Sequence, residues 1–405
     1  MNVEELVRDA LREQAAEQSV AGAGFADRVV AARRRRRTRR LAAAATATVA
    51  VIAVAVAVPL LDSGKEDVRP AGVVEQEGTS AHPQQSPPRD LIAAGRTALA
   101  AYYVPSTVRK SATEAVTERT YWLLDQKTGK YVKTTKWSYV AVAPGLKTAA
   151  VLERNLPASR IGLLDLTTGR VERWIPVDHG VGGLSFSRDG RRLVASTYGE
   201  NPDRRVKSQG SNDWSPEQPS SRTGFYVLDV ASGQGSWSEV KLGGDPNDPM
   251  SGGFINSRQD FALTHDVRYV WAGNPMGDIG KQFYDLKGAE VSVPAGEKYL
   301  SWFVDAWKSP DGRLVAGDFA GKKWPTSSWV LDADTGRKTE VRGQQLLAWA
   351  GEKSLIAWDI SPGSNEFHQR LVLVTIGSDK EVPLSGFRKG NDGDAGRWEP
   401  VFAER

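Results

Sequence analysis

Six residues carry the side chains best suited to holding a ligand: Arg204, Trp214, Lys323, Trp324, Asn365 and His368. All lie in polar stretches between apolar runs. Cations, amides and imidazoles grip by charge and hydrogen bonds, and an indole offers a flat face for stacking. Bond-breaking chemistry has less to draw on. The 405 residues include no cysteine, which removes cysteine nucleophiles, thiolate zinc sites and disulfides. The four histidines, His82, His179, His265 and His368, are never at zinc spacing. No Gly-x-Ser-x-Gly nucleophile elbow occurs. Asp245-Pro246-Asn247-Asp248 and Asn391-Asp392-Gly393-Asp394 concentrate oxygen donors, but they lack the ligand order of a calcium loop and read as turns. The expectation is a binding protein rather than an enzyme, with no metal and no cofactor.

The elements that must position the six are short strands. From about Leu91 onward one unit recurs. Its clearest copy runs GGLSFS, the turn Arg188-Asp189-Gly190-Arg191, RLVAST, a long polar loop, GFYVLDV, the turn Ala231-Ser232-Gly233-Gln234, and SWSEVKL. The strands partly alternate, and Asp and Gly supply the turn geometry. The turn after the third strand recurs six times, as Asp125 to Gly129, Asp165 to Gly169, Asp229 to Gly233, Asp285 to Gly288, Asp334-Thr335-Gly336 and Ile376 to Asp379. Successive glycines stand 40, 64, 55, 48 and 41 residues apart. A floor near 40 residues with four strands per unit is the period of a propeller blade. The first-to-second-strand turn recurs too: Ser187-Arg188-Asp189-Gly190 matches Ser309-Pro310-Asp311-Gly312, and Thr264-His265-Asp266-Val267 is a degenerate copy.

The strings Ser309-Pro310-Asp311-Gly312-Arg313-Leu314-Val315-Ala316 and Val330-Leu331-Asp332 followed by Thr335-Gly336-Arg337 resemble those of WD40-like and TolB-like propellers. The resemblance covers about 300 residues. It implies architecture and is nearly silent on activity. His179-Gly180 stands between units, where WD-like repeats place a structural histidine. The Trp358-Asp359 dipeptide ends a second strand rather than a third, so a regular WD40 array is not expected.

Strand counting predicts how the ring closes. Upstream of Asp125 there is a second strand (Ala98 to Val104) and a third (Arg119 to Asp125), but no first. The chain ends on Arg397-Trp398-Glu399-Pro400-Val401-Phe402-Ala403, a first strand with nothing after it. The expectation is an all-β, six-bladed β-propeller over 91–405, closed by the C-terminal strand. Closure would remove an exposed sheet edge. By parity in a four-stranded meander, the short Asp-Gly turns share one face. The long loops Glu200–Thr223, Gly243–Gln259, Gly273–Gly280, Ala320–Ser328 and Ser361–Gln369 share the other, where binding is expected.

The N-terminal quarter differs in kind. Leu41 to Leu61 is 21 residues without a charge. As a helix it spans roughly 31 Å, about a hydrocarbon core. Arg33 to Arg37, Arg39 and Arg40 precede it, and Asp62, Lys65, Glu66 and Asp67 follow. Residues 1–40 hold ten arginines against six acidic residues, so the whole net charge of +4 sits there and the remainder is neutral. The arginine run is therefore a topology signal, and no nucleic-acid partner is expected. This reading places the chain in the cell membrane as a single-pass protein. A short helical tail (1–40) lies in the cytoplasm, with Val3, Leu6, Val7 and Leu11 on one face. The transmembrane helix is 41–61, and a disordered linker rich in Pro, Gln and Ser is 62–90. A cleaved signal peptide is the competing reading of the same stretch, with Ala55-Val56-Ala57 as the cleavage box.

The functional expectation is a non-catalytic binding or sensing module outside the membrane. Its ligand is an unidentified protein or glycan, and a cytoplasmic protein partner would meet residues 1–40. The layout resembles single-pass proteins of high-GC bacteria, some of which pair with sigma factors. That resemblance implies one alternative, an anti-sigma-like transmembrane regulator, though without cysteine the zinc-binding form of that domain is ruled out. The other alternative is an exported propeller enzyme acting on glycans or peptides.

Overall fold

The computed structural model describes residues 78–405 except 208–212, 218–219, 241–257, 274–279, 302–303, 362–363, 365 and 390–396. The expected cytoplasmic tail and the expected transmembrane helix lie outside the described residues. Among the described residues no helix is long and apolar enough to cross a membrane.

The described chain is built from short strands and one 3-10 turn at Ala295–Glu297. In order these are β1 (Gly78–Ser80), β2 (Ala93–Gly95), β3 (Thr97–Arg109), β4 (Glu114–Asp125), β5 (Lys130–Thr134), β6 (Trp137–Val142), β7 (Thr148–Glu153), β8 (Ala158–Asp165) and β9 (Arg170–Phe186). They continue with β10 (Arg192–Tyr198), β11 (Arg204–Lys207), β12 (Trp214–Pro216), β13 (Arg222–Asp229), β14 (Gly235–Glu239), β15 (Ala262–Leu263), β16 (Val270–Gly273), β17 (Lys281–Tyr284) and β18 (Glu290–Val291). The last are β19 (Leu314–Phe319), β20 (Ser327–Asp332), β21 (Lys338–Arg342), β22 (Gln345–Gly351), β23 (Ser354–Ile360), β24 (Gln369–Thr375), β25 (Glu381–Pro383) and β26 (Glu399–Glu404).

They form five sheets, and the pairings between named strands are all antiparallel. Three are simple meanders: β15 to β18, β19 to β21 and β22 to β25. A fourth runs β6 to β10 and on through β13 and β14, because β9 pairs with β8 along its first half and with β10 along its second. The fifth joins the two ends of the chain. Successive meanders with this order and closure are the layout of a β-propeller.

Turn chemistry fixes the strand ends. Asp125 Oδ1 accepts from Lys127 N (2.8 Å), and Asp165 Oδ1 from Thr167 N (2.6 Å) and Thr168 N (3.1 Å). In each, a glycine at positive φ closes the turn: Gly129 at 65° and Gly169 at 68°. An L side chain is costly there. One expected turn is shifted by two residues. The carboxylate that accepts from Thr335 N is Asp332 (2.8 Å), not Asp334, because the strand ends at Asp332. At Ser187 and Ser309 the hydroxyl donates to Asp189 and Asp311, both at 2.6 Å. Thr264 does the same to Asp266 at 2.7 Å, and Val267 takes the glycine position with φ 60°.

The C-terminal strand pairs with β3 from Glu399↔Tyr103 to Glu404↔Thr97. Aromatic rings carry the closure inward. Trp398 lies edge-on to Trp358 (5.3 Å) and to Tyr102 (5.7 Å), and Tyr102 stacks on Trp122 (5.1 Å). Trp358, Trp398 and Tyr102 are all buried. Arg388 binds the returning chain at Trp398 O (2.9 Å) and Glu399 Oε2 (2.8 Å).

The linker expected over 62–90 is shorter than its composition suggested. Residues 78–90 pack on the fold: β1 pairs with β2, His82 N donates to Leu384 O (2.8 Å), and Trp398 Nε1 donates to Ser86 Oγ (3.1 Å). Pro and Gln are compatible with an ordered strap where the fold supplies the partners. Residues 62–77 lie outside the described residues.

Candidate binding site

Two hairpins build the site, both in the sheet closed by β26, the second arising from the loop between β10 and β13 of the long sheet. The β3–β4 hairpin overshoots the other meanders: its strands pair from Ala101↔Leu123 out to Arg109↔Ala115. The loop Glu200–Thr223 contributes a second hairpin, β11–β12, whose residues Arg204 to Val206 pair with Val116 to Glu114 of β4. The four strands make a shelf reaching from one sheet to another. Arg204 secures it by ion pairs to Glu114 (3.2 Å), Glu217 (3.1 Å) and Glu200. Arg205 Nε donates to Thr117 Oγ1 (2.6 Å), and the Arg109 guanidinium lies 5.7 Å from the Trp214 ring.

A cavity of about 140 Å³ opens at the root of this shelf, lined by Lys110, Thr117, Glu118, Ser138, Asn155 and Asn201 among others. Its floor is a chain of charges. Arg119 binds both oxygens of Asp203 (2.6 and 2.9 Å). Arg258 binds the same two oxygens from the other side (2.9 and 2.8 Å) and reaches Asp260 (2.9 Å) and Gly182 O (2.7 Å). Tyr198 OH donates to Asp260 Oδ1 (2.8 Å). Burial alone would push the Asp203 carboxyl up. The two guanidiniums outweigh it and hold that carboxyl well below the usual range. At the rim, Glu118 is shared by two cations, Lys110 (3.1 Å) and Arg154, which also donates to Thr135 O (2.9 Å). The site thus offers amides, a hydroxyl and one surplus positive charge to a polar guest.

A second group meets where first strands come together. Gln345 Nε2 donates to Asp305 Oδ2 (3.2 Å), and Glu399 stands close enough to act on Asp305. Surrounding protein, reinforced by Glu399, pushes the Asp305 carboxyl above its ordinary value, an effect that water tempers because the residue is exposed. Glu399 itself is held by Arg388 (2.8 Å) and Arg397 (3.5 Å).

Comparison with known proteins adds little to this geometry. No family model matches the chain, and no curated protein matches it. Among solved structures it is similar to TolB from Acinetobacter baumannii, at 13% identity over 71% of this chain and 67% of that one, with a TM-score of 0.38. It is also similar to Kuenenia stuttgartiensis hydrazine synthase, at 14% identity over 64% of this chain and 70% of that one, with a TM-score of 0.34.

The structure disperses the residues expected to bind. Arg204 and Trp214 both lie on the shelf, in β11 and β12, at opposite ends of that hairpin. Lys323 and Trp324 lie together between β19 and β20, with Lys323 Nζ on Asp379 (2.8 Å) and 4.2 Å from the Trp324 ring. His368 stacks on Phe387 (4.8 Å) just before β24. Asn365 lies outside the described residues, as do both acidic turns, 245–248 and 391–394. His179 stacks flat on Trp237 at 3.6 Å, a packing role. Sequence reading missed Arg119, Asp203, Arg258 and Asp260, which come from three separate stretches of chain. The available signal was slight: Thr107 and Val108 before the turn and Val116 and Thr117 after it extend the hairpin past Val104 despite Pro105.

Proposed function

We infer that this chain is a single-pass membrane protein whose outer domain is a six-bladed propeller that binds a ligand without transforming it. The shelf cavity is its recognition site. Six blades follow from dividing the long sheet at the middle of β9, which gives two meanders, with β26 as the first strand of the N-terminal blade. The observation that carries the binding reading is the state of the charges at the cavity. Asp203, Asp260 and Glu118 are each already engaged by an arginine or lysine. These ion pairs hold the cationic groups in place for recognition. The surplus cation favours a ligand with a carboxylate or another acceptor-rich group, as in an acidic glycan or a peptide terminus.

Full-length protein in detergent, screened on glycan and peptide arrays, tests this. Arg154→Glu is expected to lower affinity for any hit at least tenfold with melting unchanged. Undiminished binding in that variant would place recognition elsewhere. The enzyme reading draws support from a different place, Asp305 beside Glu399. If the chain hydrolyses such ligands, Asp305→Asn should abolish turnover while binding persists. The tail 1–40 would carry the signal inward, and capture of a specific cytoplasmic protein on the membrane-embedded full chain tests that role.

A further inference from the structure

Among the interior polar atoms that the described residues leave without a hydrogen-bond partner are two whose residues act on each other's charge, Lys281 Nζ and Glu297 Oε2. Lys281 opens β17 opposite Gly273, and its residue is 4% exposed. Its Nζ has no hydrogen-bond partner and sits 3.5 Å from the centre of the Trp271 ring. Trp307 stands edge-on to Trp271 (5.0 Å, 82°) and closes the same compartment, 5.9 Å from the amine. Trp307 is held there at φ 46°, a conformation costly for a bulky residue. Its carbonyl is pinned by Ala316 N (2.8 Å) and Trp349 Nε1 (3.3 Å). Across from the amine is Glu297, also 4% exposed. Its Oε1 accepts from Lys308 Nζ (2.9 Å), and its Oε2 is unpartnered.

A buried ammonium with no acceptor is costly, so the amine gives up its charge. Desolvation lowers the Lys281 amine to about 7, a fall that the nearby Lys308 aids and Glu297 opposes. Desolvation raises the Glu297 carboxyl, against the pull of Lys308. An amine that loses its proton more readily than usual and a carboxyl that keeps its proton more readily than usual therefore lie within reach of each other's charge, against the indoles of Trp271 and Trp307.

We propose that Lys281 is a nucleophilic lysine that captures small aldehydes or ketones as an imine, with Glu297 as the proton-transferring group. The Nζ lone pair bonds to the carbonyl carbon and the displaced π electrons go to the carbonyl oxygen, which takes the proton of the Glu297 carboxyl while that carboxylate takes one proton from Nζ, giving a neutral carbinolamine and a protonated Glu297. Glu297 then protonates the carbinolamine hydroxyl, the C–O bond breaks and water leaves. The last Nζ proton returns to Glu297 as the neutral C=N bond is left. Amine and carbonyl give imine and water, with no oxidant or reductant needed.

Borohydride trapping on the full-length folded chain tests this, with propanal as probe and peptide mass spectrometry as readout. Lys281 should be alkylated at least tenfold faster than exposed lysines such as Lys127, with a rate rising through about pH 7 rather than near the ordinary lysine value. Unfolding in urea should erase the advantage. Glu297→Gln should slow trapping about tenfold when read below the onset of its own melting, where the variant is folded. Trapping of Lys281 no faster than Lys127 on folded wild-type protein overturns the proposal, and would mean that the compartment holds only trapped water. Because the readout is wild-type labelling, a poorly folding Lys281→Met variant does not blunt it.

Discussion

At the residue scale, charge pairing decides which groups remain available. Asp203 is 6% exposed in its side chain and lies between Arg119 and Arg258, so its removal strands two guanidiniums. Breaking a buried pair from one side costs about 3–5 kcal/mol. Asp203→Asn should therefore lower stability by that order, read as a shift in denaturant midpoint at pH 7. The pH sign follows from the lowered carboxyl. Its stabilising effect is complete above the unfolded value near 4 and fades as pH falls below it, because the unfolded state then takes up the proton first. Wild type should lose stability over that acid range more steeply than Asp203→Asn. Equal slopes would mean that Asp203 is not the coupled group. Lys281 has the same sign in a higher pH range. Its amine is lowered to about 7, so from there up to about 10.5 the unfolded chain binds the extra proton and the group's contribution rises with pH. Lys281→Met should flatten that rise in urea melts taken between pH 7 and 10.

At the scale of elements, closure by β26 is the contact on which the ring depends. β26 supplies the register with β3, and the residue before it, Trp398, is 1% exposed between Trp358 and Tyr102. Trp398→Ala should cost about 3–5 kcal/mol. Removing 397–405 should do more, broadening or abolishing the cooperative thermal transition. An unaltered transition in the truncated chain would contradict the closure. The shelf is the opposite kind of element, resting on the ring without completing it. Arg204 gathers three carboxylates there, two of them far along the chain or exposed, and such pairs contribute little to global stability. Replacing 205–216 by a short Gly-Ser linker should leave the melting curve nearly intact while removing ligand retention by the full chain.

At the scale of the whole molecule, the proposed topology separates a charged tail from a neutral propeller by one apolar helix. Protease added to intact cells or spheroplasts should digest residues beyond Leu61 and spare 1–40. Recovery of a soluble chain trimmed near Ala57 would instead mean cleavage. The propeller is expected to persist in either case, since its described strands pair with one another.

The closing strand, the recurring Asp-Gly turns and the short-strand period were readable from the residues, because turn and strand preferences are local. The chemistry of Thr264 and Asp266 even identifies Val267 as a degenerate glycine position, although the valine type hides it. Local patterns faltered where an aspartate two residues away served the turn, as Asp332 does, and where Pro-rich chain at 78–90 met a partner on the far strand. The candidate site was barely legible. Arg204 and Trp214 were found, but their neighbours Arg119, Asp203 and Arg258 are 55 to 84 positions apart in the chain. A carboxylate becomes a structural anion or an open ligand according to which distant guanidinium reaches it, and a lysine becomes a nucleophile only when the fold removes its water. Those outcomes depend on distance and desolvation, which exist only once the strands have been brought together.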